Sequence, residues 1–307
     1  MEIECRHCKS KEIVKYGIRN NSSVKNQVFM CKSCKKFFSE NTTFFKMKNK
    51  GEIICTALDL YFKNVSLRKI SDHLQQIHGK RISHVTVLKW VRKYSVVFKE
   101  YTDKLKVNGS GTIHADEMMV NVNGKLVWLW NVMDRSTKFL LSTHLSDVRR
   151  LSDAKRVMLE ARRKLNDRPK FVVTDGLPLY RKAFNRAFWK RKSPVSKHIK
   201  LVGFRDKINN NTIERLHGSI RERTKVMRGF DEFDSARKIL GGWSVYYNFI
   251  RPHESLGGLT PAEASGIDLE LNGGNRWLEL IKLIDENDGG INGKPKLGEN
   301  NKSSFLT

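Results

Sequence analysis

Thr112-Ile113-His114-Ala115-Asp116-Glu117-Met118-Met119-Val120-Asn121-Val122 runs into Asn123-Gly124, and then into Lys125-Leu126-Val127-Trp128-Leu129-Trp130-Asn131-Val132-Met133. From residue 51 to about 105 the apolar residues recur at helical spacing; from residue 110 they alternate. Alternation describes a strand with two unlike faces. Asn-Gly between two such runs is the signal of a two-residue type I′ hairpin. Residues 112–122 and 126–133 are therefore read as paired strands, with 138–144 as a third that completes a meander. Downstream the pattern gives a helix at 153–165, a short apolar strand at 170–174, a helix at 179–191, a strand at 198–202 and a long helix from about residue 210.

The order β-β-β-α-β-α-β-α predicts an α/β fold, a mixed RNase H-like sheet with flanking helices. The first strand should lie beside the fourth. That neighbourhood brings Asp116 close to Asp175, which ends the strand Phe171-Val172-Val173-Thr174 at a Gly176 turn. Glu214 opens the last helix, in Asn211-Thr212-Ile213-Glu214-Arg215. Two strands and one helix thus supply three carboxylates. Hard oxygen ligands suit Mg²⁺ or Mn²⁺, and such ions keep open positions for water and phosphate. Along the first strand Asp116 shares a face with His114 and Met118, and Glu117 with Ala115 and Met119. The pattern itself favours neither acid strongly. Structural alternatives are a turn-capping Asp175 and a Glu214 that only complements the helix dipole. Asp134, Asp153 and Asp206 read as turn and cap residues.

The chain has 307 residues, enough for about two domains, and a formal net charge of +26. Residues 1–107 carry +14, residues 108–267 carry +14, and the last forty carry −2. Basicity therefore belongs to the folded regions and not to a tail. An excess of this size fits a polyanionic partner, DNA or RNA. No apolar run approaches the roughly 20 residues of a membrane span. The start of the chain lacks a signal peptide's apolar segment, so a reducing cytosol is expected.

Four of the five cysteines form two CxxC pairs, Cys5-Arg6-His7-Cys8 and Cys31-Lys32-Ser33-Cys34, with 22 residues between them. Four thiolates so spaced suit one tetrahedral structural Zn²⁺ in a ribbon too small to hold itself together, over residues 1–45. His7 reads as a surface residue and Cys55 as a small buried hydrophobe. Residues 50–105 read as three helices: the first through Ile53, Ile54, Ala57 and Leu58, the second capped by Ser66, the third capped by Ser83. The third carries Val87, Leu88, Val91 and Tyr94 inward and His84, Thr86, Lys89, Arg92 and Lys93 outward. A helix-turn-helix presents DNA in this way; an ordinary three-helix bundle is the plainer alternative.

Further signatures follow in order: Asp116-Glu117, Thr174-Asp175-Gly176, Asn211-Thr212-Ile213-Glu214-Arg215-Leu216-His217 and Arg228-Gly229-Phe230. Then come Tyr247-Asn248-Phe249-Ile250-Arg251-Pro252-His253-Glu254-Ser255-Leu256 and Leu259-Thr260-Pro261-Ala262-Glu263. With the knuckles and Lys15-Tyr16-Gly17, these resemble DDE transposases of prokaryotic insertion sequences, closest to the insertion-sequence family numbered six. The resemblance covers about residues 1–265. The interval of 38 residues between Asp175 and Glu214 is longer than that family's norm. The resemblance implies an enzyme that binds terminal inverted repeats, frees 3′-hydroxyl ends and joins them to target DNA. Asp116, Asp175 and Glu214 would hold two Mg²⁺ or Mn²⁺ ions per active site. Arg221, two turns past Glu214, would meet the phosphate backbone. A homodimer or larger assembly on double-stranded DNA, associated with the nucleoid in the cytoplasm, would follow from pairing two ends.

The catalytic region so defined spans residues 108–267. Trp243, Tyr246 and Tyr247 read as core, His253 as structural, and Thr260-Pro261-Ala262-Glu263 as a capping box. Residues 268–307 read as one amphipathic helix and a disordered tail. Two rivals remain: a retroviral-type integrase, whose zinc module normally uses two His and two Cys, and a transposase-derived DNA-binding regulator without strand transfer.

Overall fold

The computed structural model describes residues 4–5, 7–21, 24–39, 44, 47–189, 195–201 and 210–288. The chain divides into two compact units, Met1–Cys55 with Trp277–Thr307, and Thr56–Arg276. In the first, β1 (Ile13–Asn21), β2 (Val24–Cys31) and β3 (Phe37–Ser39) make an antiparallel sheet in that order. Its core is Cys5, Phe29, Cys31 and Phe38, with Ile13 and Cys34 packed against them. Thiols thus supply much of the only apolar cluster of this sheet among the described residues.

Helices α1 (Gly51–Phe62), α2 (Leu67–His78) and α3 (His84–Asp103) follow. Ser66 and Ser83 cap α2 and α3 through the amides of Lys69 and Thr86, satisfying donors that the first helical turn leaves bare. Gly79 ends α2 at φ 61°, where a side chain would be strained. Helix α3 runs on to Asp103, where buried Phe98 and Thr102 extend its apolar stripe. It lies along α7 (Phe233–Val245). At Gly242 a β-carbon would come within 2.0 Å of Ser95 Oγ and 2.9 Å of the Phe62 ring. Only glycine admits this approach.

The central sheet contains β4 (Thr112–Val122), β5 (Lys125–Asp134), β6 (Leu140–Ser146), β7 (Phe171–Thr174) and β8 (Lys197–Lys200), in the order β6-β5-β4-β7-β8. Antiparallel pairing joins β4 to β5 and β5 to β6; β4–β7 and β7–β8 are parallel. This is the mixed α/β core expected of an RNase H-like fold. Asn123 and Gly124 take φ of 51° and 75°, as the hairpin requires. β6 begins two residues later than the alternation suggests. The Asp134 carboxylate accepts from the Ser136 and Thr137 amides at 3.1 and 3.0 Å, and the turn so made ends with Lys138 at φ 60°.

Helix α4 (Leu151–Lys164) is the crossover to β7, α5 (Pro178–Ala187) follows β7, and α6 (Asn211–Met227) packs on β4. The sequence motif Arg228-Gly229-Phe230 docks the end of α6 on the hairpin: Phe230 N donates to Asn121 O at 2.9 Å, and Asn123 N to Phe230 O at 2.6 Å. After α7 a π-helical turn, Tyr246–Ile250, aims Asn248 at the edge of β6, where its amide exchanges bonds with Leu140 N (2.8 Å) and Leu140 O (2.9 Å). Thr260 and Glu263 close the expected capping box on α8 (Pro261–Ala264). Helix α9 (Arg276–Asp288) buries Trp277, Leu280, Ile281 and Ile284 on one stripe. The expected tail and Asp206 lie outside the described residues.

Candidate active site

The β4–β7 ladder ends at Ala115 paired with Thr174, while β4 continues. Asp116 and Glu117 therefore project past the end of β7, and Asp175 is the first residue beyond that end. One carboxylate oxygen from each of Asp116, Glu117 and Asp175 lies within 4.8 Å of the others. Like charges so close raise the proton affinity of Asp116.

The two neighbours on β4 face opposite ways. Glu117 points to the α4–α5 side, where Arg149 pairs with Oε1 and the Tyr180 hydroxyl donates to Oε2. Its side chain is 3 % exposed, against 18 % for Asp116. Arg149 in turn lies 4.7 Å over the Trp128 ring, and Tyr180 meets Trp130 edge-on. Asp116 points to α6. Burial first, then the charges of Glu117, Asp175 and Glu214, push its carboxyl up to about 7. Asp175 accepts from the Leu177 amide at 3.0 Å, which folds the loop after β7.

Helix α6 reaches β4 through two histidines. His114 Nδ1 and Asn210 Oδ1 stand 3.0 Å apart at the helix start. His217 Nδ1 lies 3.9 Å from Asp116 Oδ2, and its Nε2 lies 3.2 Å from Asn131 Nδ2. Burial, with help from Arg221, brings His217 down to about 4. Glu214 is exposed in the first turn of α6, one turn before His217, and Arg221 is exposed further along. Glu214 is not among the carboxylates that lie within 4.8 Å of one another, although its charge is felt at Asp116. Asp153 bonds His144 at 3.1 Å. An oxygen-only donor set with one half-open acid of raised proton affinity suits a hard divalent cation.

In the N-terminal unit, Cys5, Cys8, Cys31 and Cys34 place one sulfur each within 4.8 Å of the rest, with Cys5–Cys34 at 3.6 Å and Cys8–Cys31 at 3.5 Å. Thiolates about 2.3 Å from a tetrahedral ion stand about 3.8 Å apart, so the arrangement fits Zn²⁺. The Cys34 amide and the neighbouring thiols hold Cys31 down at about 6. Cys55 is buried apart from them, its thiol pushed up to about 12 by desolvation.

The outward residues of α3 divide into two groups. Lys89 and Lys93 are exposed on the face away from the core. Thr86 is half-buried, its hydroxyl 2.9 Å from that of the cap Ser83. His84 and Arg92 line a cleft with Leu88, Arg223 and Ser235, and Arg92 Nε donates to Ser235 Oγ at 2.7 Å. Sequence reasoning missed the partners Arg149, Tyr180, Asn131 and Thr143. One signal was available: His217 lies one helical turn after Glu214, on its face.

The mixed sheet thus gathers three acids where its central strand outruns a parallel neighbour. Residues 110–253 match the protein family described as DDE domain, a match that supports an enzyme of the DDE transposase type. The chain is 25 % identical over 216 residues to an uncharacterized protein of Methanocaldococcus jannaschii, covering 69 % of this chain and 92 % of that one. It is 24 % identical over 246 residues to the insertion element ISM1 uncharacterized 48.3 kDa protein of Methanobrevibacter smithii, covering 73 % of this chain and 60 % of that protein. Similar solved structures include the HTLV-2 integrase catalytic core in complex with magnesium, with 14 % identity, 52 % of this chain and 98 % of that one covered, and a TM-score of 0.38. The BIV integrase catalytic core shows 15 % identity, 51 % and 94 % coverage, and a TM-score of 0.37. No helix among the described residues is long and apolar enough to cross a membrane.

Proposed function

We propose that this chain is the transposase of an insertion sequence, binding terminal inverted repeats, cleaving DNA to free 3′-hydroxyl ends and joining them to target DNA. The observation that carries the reading is the division of labour on β4. Glu117 has both oxygens committed to Arg149 and Tyr180, while Asp116 is half-open beside Asp175 with its proton affinity raised. Asp116 and Asp175 are thus the acids with capacity to hold metal, and exposed Glu214 on the facing helix is the third ligand. Mg²⁺ or Mn²⁺, two per site, would supply charge neutralisation at the phosphate and acidify the attacking hydroxyl. The chain's own part is to hold the acids rigidly and to present cations: Arg221 toward the phosphate backbone, with no Ser or Cys nucleophile needed.

The N-terminal residues 1–45 form a zinc ribbon held by Cys5, Cys8, Cys31 and Cys34, in this reading. Residues 50–105 form a helix-turn-helix, 108–267 the catalytic domain, and 268–307 a helix and tail. Lys89 and Thr86 face bases, Lys93 meets phosphate, and His84 and Arg92 serve from the cleft side. Pairing of two DNA ends asks for a homodimer or larger assembly, working on the chromosome in the cytoplasm. The four-cysteine site favours this over an integrase of retroviral type. The test is strand transfer with the inverted repeats that flank the gene. Joined products from wild type and none from Asp116→Asn are expected; specific binding without joining by wild type would leave the DNA-binding regulator in its place.

A further inference from the structure

Behind Asp116 a line of polar side chains crosses three elements. Thr143 on β6 donates its hydroxyl to Asn131 Oδ1 at 3.0 Å. With the Asn131 carbonyl oxygen turned to Thr143, its NH₂ faces His217 Nε2 at 3.2 Å. A donor there requires Nε2 to be the bare, accepting nitrogen. The single ring proton must then sit on Nδ1, the nitrogen 3.9 Å from Asp116 Oδ2. Asn131 is the β5 residue paired with Asp116 across the ladder, and Asn131 and His217 are both buried, so the line is built into the sheet.

We infer that His217 is a positioning residue, a neutral imidazole locked by Asn131 and Thr143 in the Nδ1–H form, which steers the Asp116 carboxylate by its Oδ2 oxygen. The assignment rests on the reading of Asp116 as a metal ligand. At 3.9 Å the Nδ1–H is a polar contact and not yet a hydrogen bond to Asp116, one that a small turn of the carboxylate would close. A donor so placed favours one oxygen and one rotamer, and loss of such a partner weakens metal binding by about 10–100-fold. The same line explains why α6 must register on β4 at this depth: His217 sets the turn that carries Glu214 as well as the tilt of Asp116.

The experiment uses the full chain without DNA. Mn²⁺ binding is titrated by electron paramagnetic resonance, and ring-nitrogen NMR of metal-free protein reads the tautomer, with His217 assigned by its loss in His217→Gln. Expected are a protonated Nδ1 and a bare Nε2 for His217. His217→Leu should weaken Mn²⁺ by about 10–100-fold, and His217→Gln, whose amide both accepts and donates, should recover most of it. An Nε2–H tautomer overturns the inference. Equal weakening in both variants marks mere packing and overturns it too. Unchanged Mn²⁺ binding in His217→Leu, with binding lost in Asp116→Asn, overturns it while leaving the metal reading intact. Normal binding in Asp116→Asn sinks the metal reading itself. Should His217→Leu not fold, Thr143→Val serves: it should mix the tautomers and weaken Mn²⁺ by a smaller factor, and an unchanged affinity overturns the inference.

Discussion

Arg223 on α6 lies 3.9 Å over the ring of Tyr61 and donates to the carbonyls of Tyr61 and Val65, the latter at 3.1 Å. The arginine is 3 % exposed. It therefore satisfies one carbonyl in the last turn of α1 and one in the loop after it, while its own charge is placed on an aromatic face. Arg223→Ala should cost about 2–4 kcal/mol, since it strips charge-assisted bonds and opens a buried space. Arg223→Lys should recover little, because an ammonium cannot reach two carbonyls and stack at once. Thermal melting of both variants checks this; a wild-type midpoint for the alanine variant would contradict it.

Asp116→Asn, Asp175→Asn and Glu214→Gln should each abolish cleavage and joining together while leaving folding and DNA binding near wild type. Each amide keeps the shape but removes charge from a cation that prefers anionic oxygen. Glu117→Gln is the contrast. It should retain activity within about tenfold while lowering stability by about 1–3 kcal/mol, because the Arg149 pair loses its charge partner. Strand-transfer gels beside melting curves separate the two patterns.

Asp116 also predicts a pH dependence. Its carboxyl titrates at about 7 in the fold, against an ordinary 3.8. Between those values the folded state keeps a proton that the unfolded chain releases, so metal-free stability falls as pH rises from about 4 to about 7. Mn²⁺ affinity should climb over the same range, since the ion binds the deprotonated form. Melting curves at several pH values should show the fall in wild type and a smaller one in Asp116→Asn. Equal curves would contradict the raised proton affinity.

The thiol cluster predicts one zinc ion per chain by elemental analysis. Cys31→Ser should lose it and unfold the ribbon, leaving the circular dichroism of the central sheet in place. Structural zinc sites contribute about 10–16 kcal/mol in peptides. The small core of Cys5, Phe29, Cys31 and Phe38 has no comparable reserve.

On α3, Lys93→Ala should weaken binding and flatten its salt dependence by about one slope unit for the lost phosphate contact, whereas Lys89→Ala should lower the preference for cognate over random DNA. Arg92→Ala should instead lower the melting point, since its guanidinium is bonded to Ser235. Filter binding across a salt series distinguishes surface cations from this tethered one.

Much of this was legible in the sequence for definite reasons. Alternation with Asn123-Gly124 located β4 and β5, and the strand-helix-strand order placed β7 beside β4 and so Asp175 beside Asp116. The nearness of Glu117 was not legible. Period-two logic sends it to the far face, as found, but it does not say that β7 stops at Thr174 and leaves room for Asp175 to meet both acids. Helical periodicity put Arg92 outward; Ser235, 143 residues away, claimed it. Partners so distant in sequence leave no local signal, and the same holds for Asn131 with His217.

The closeness of Gly242 to Ser95 and Phe62 bears on how this chain can be re-engineered or diversify. Modules joined by a loose tether can be exchanged like cassettes, each bringing its own specificity. Here a foreign α3 with any bulk at position 95 would collide with α7. A graft of the α2–α3 pair must carry α7 with it, and α7 leads directly into the π-helical turn that holds Asn248 on β6. If α3 reads DNA as proposed, new sequence preference would come through single changes at Thr86 and Lys89, and not by wholesale shuffling.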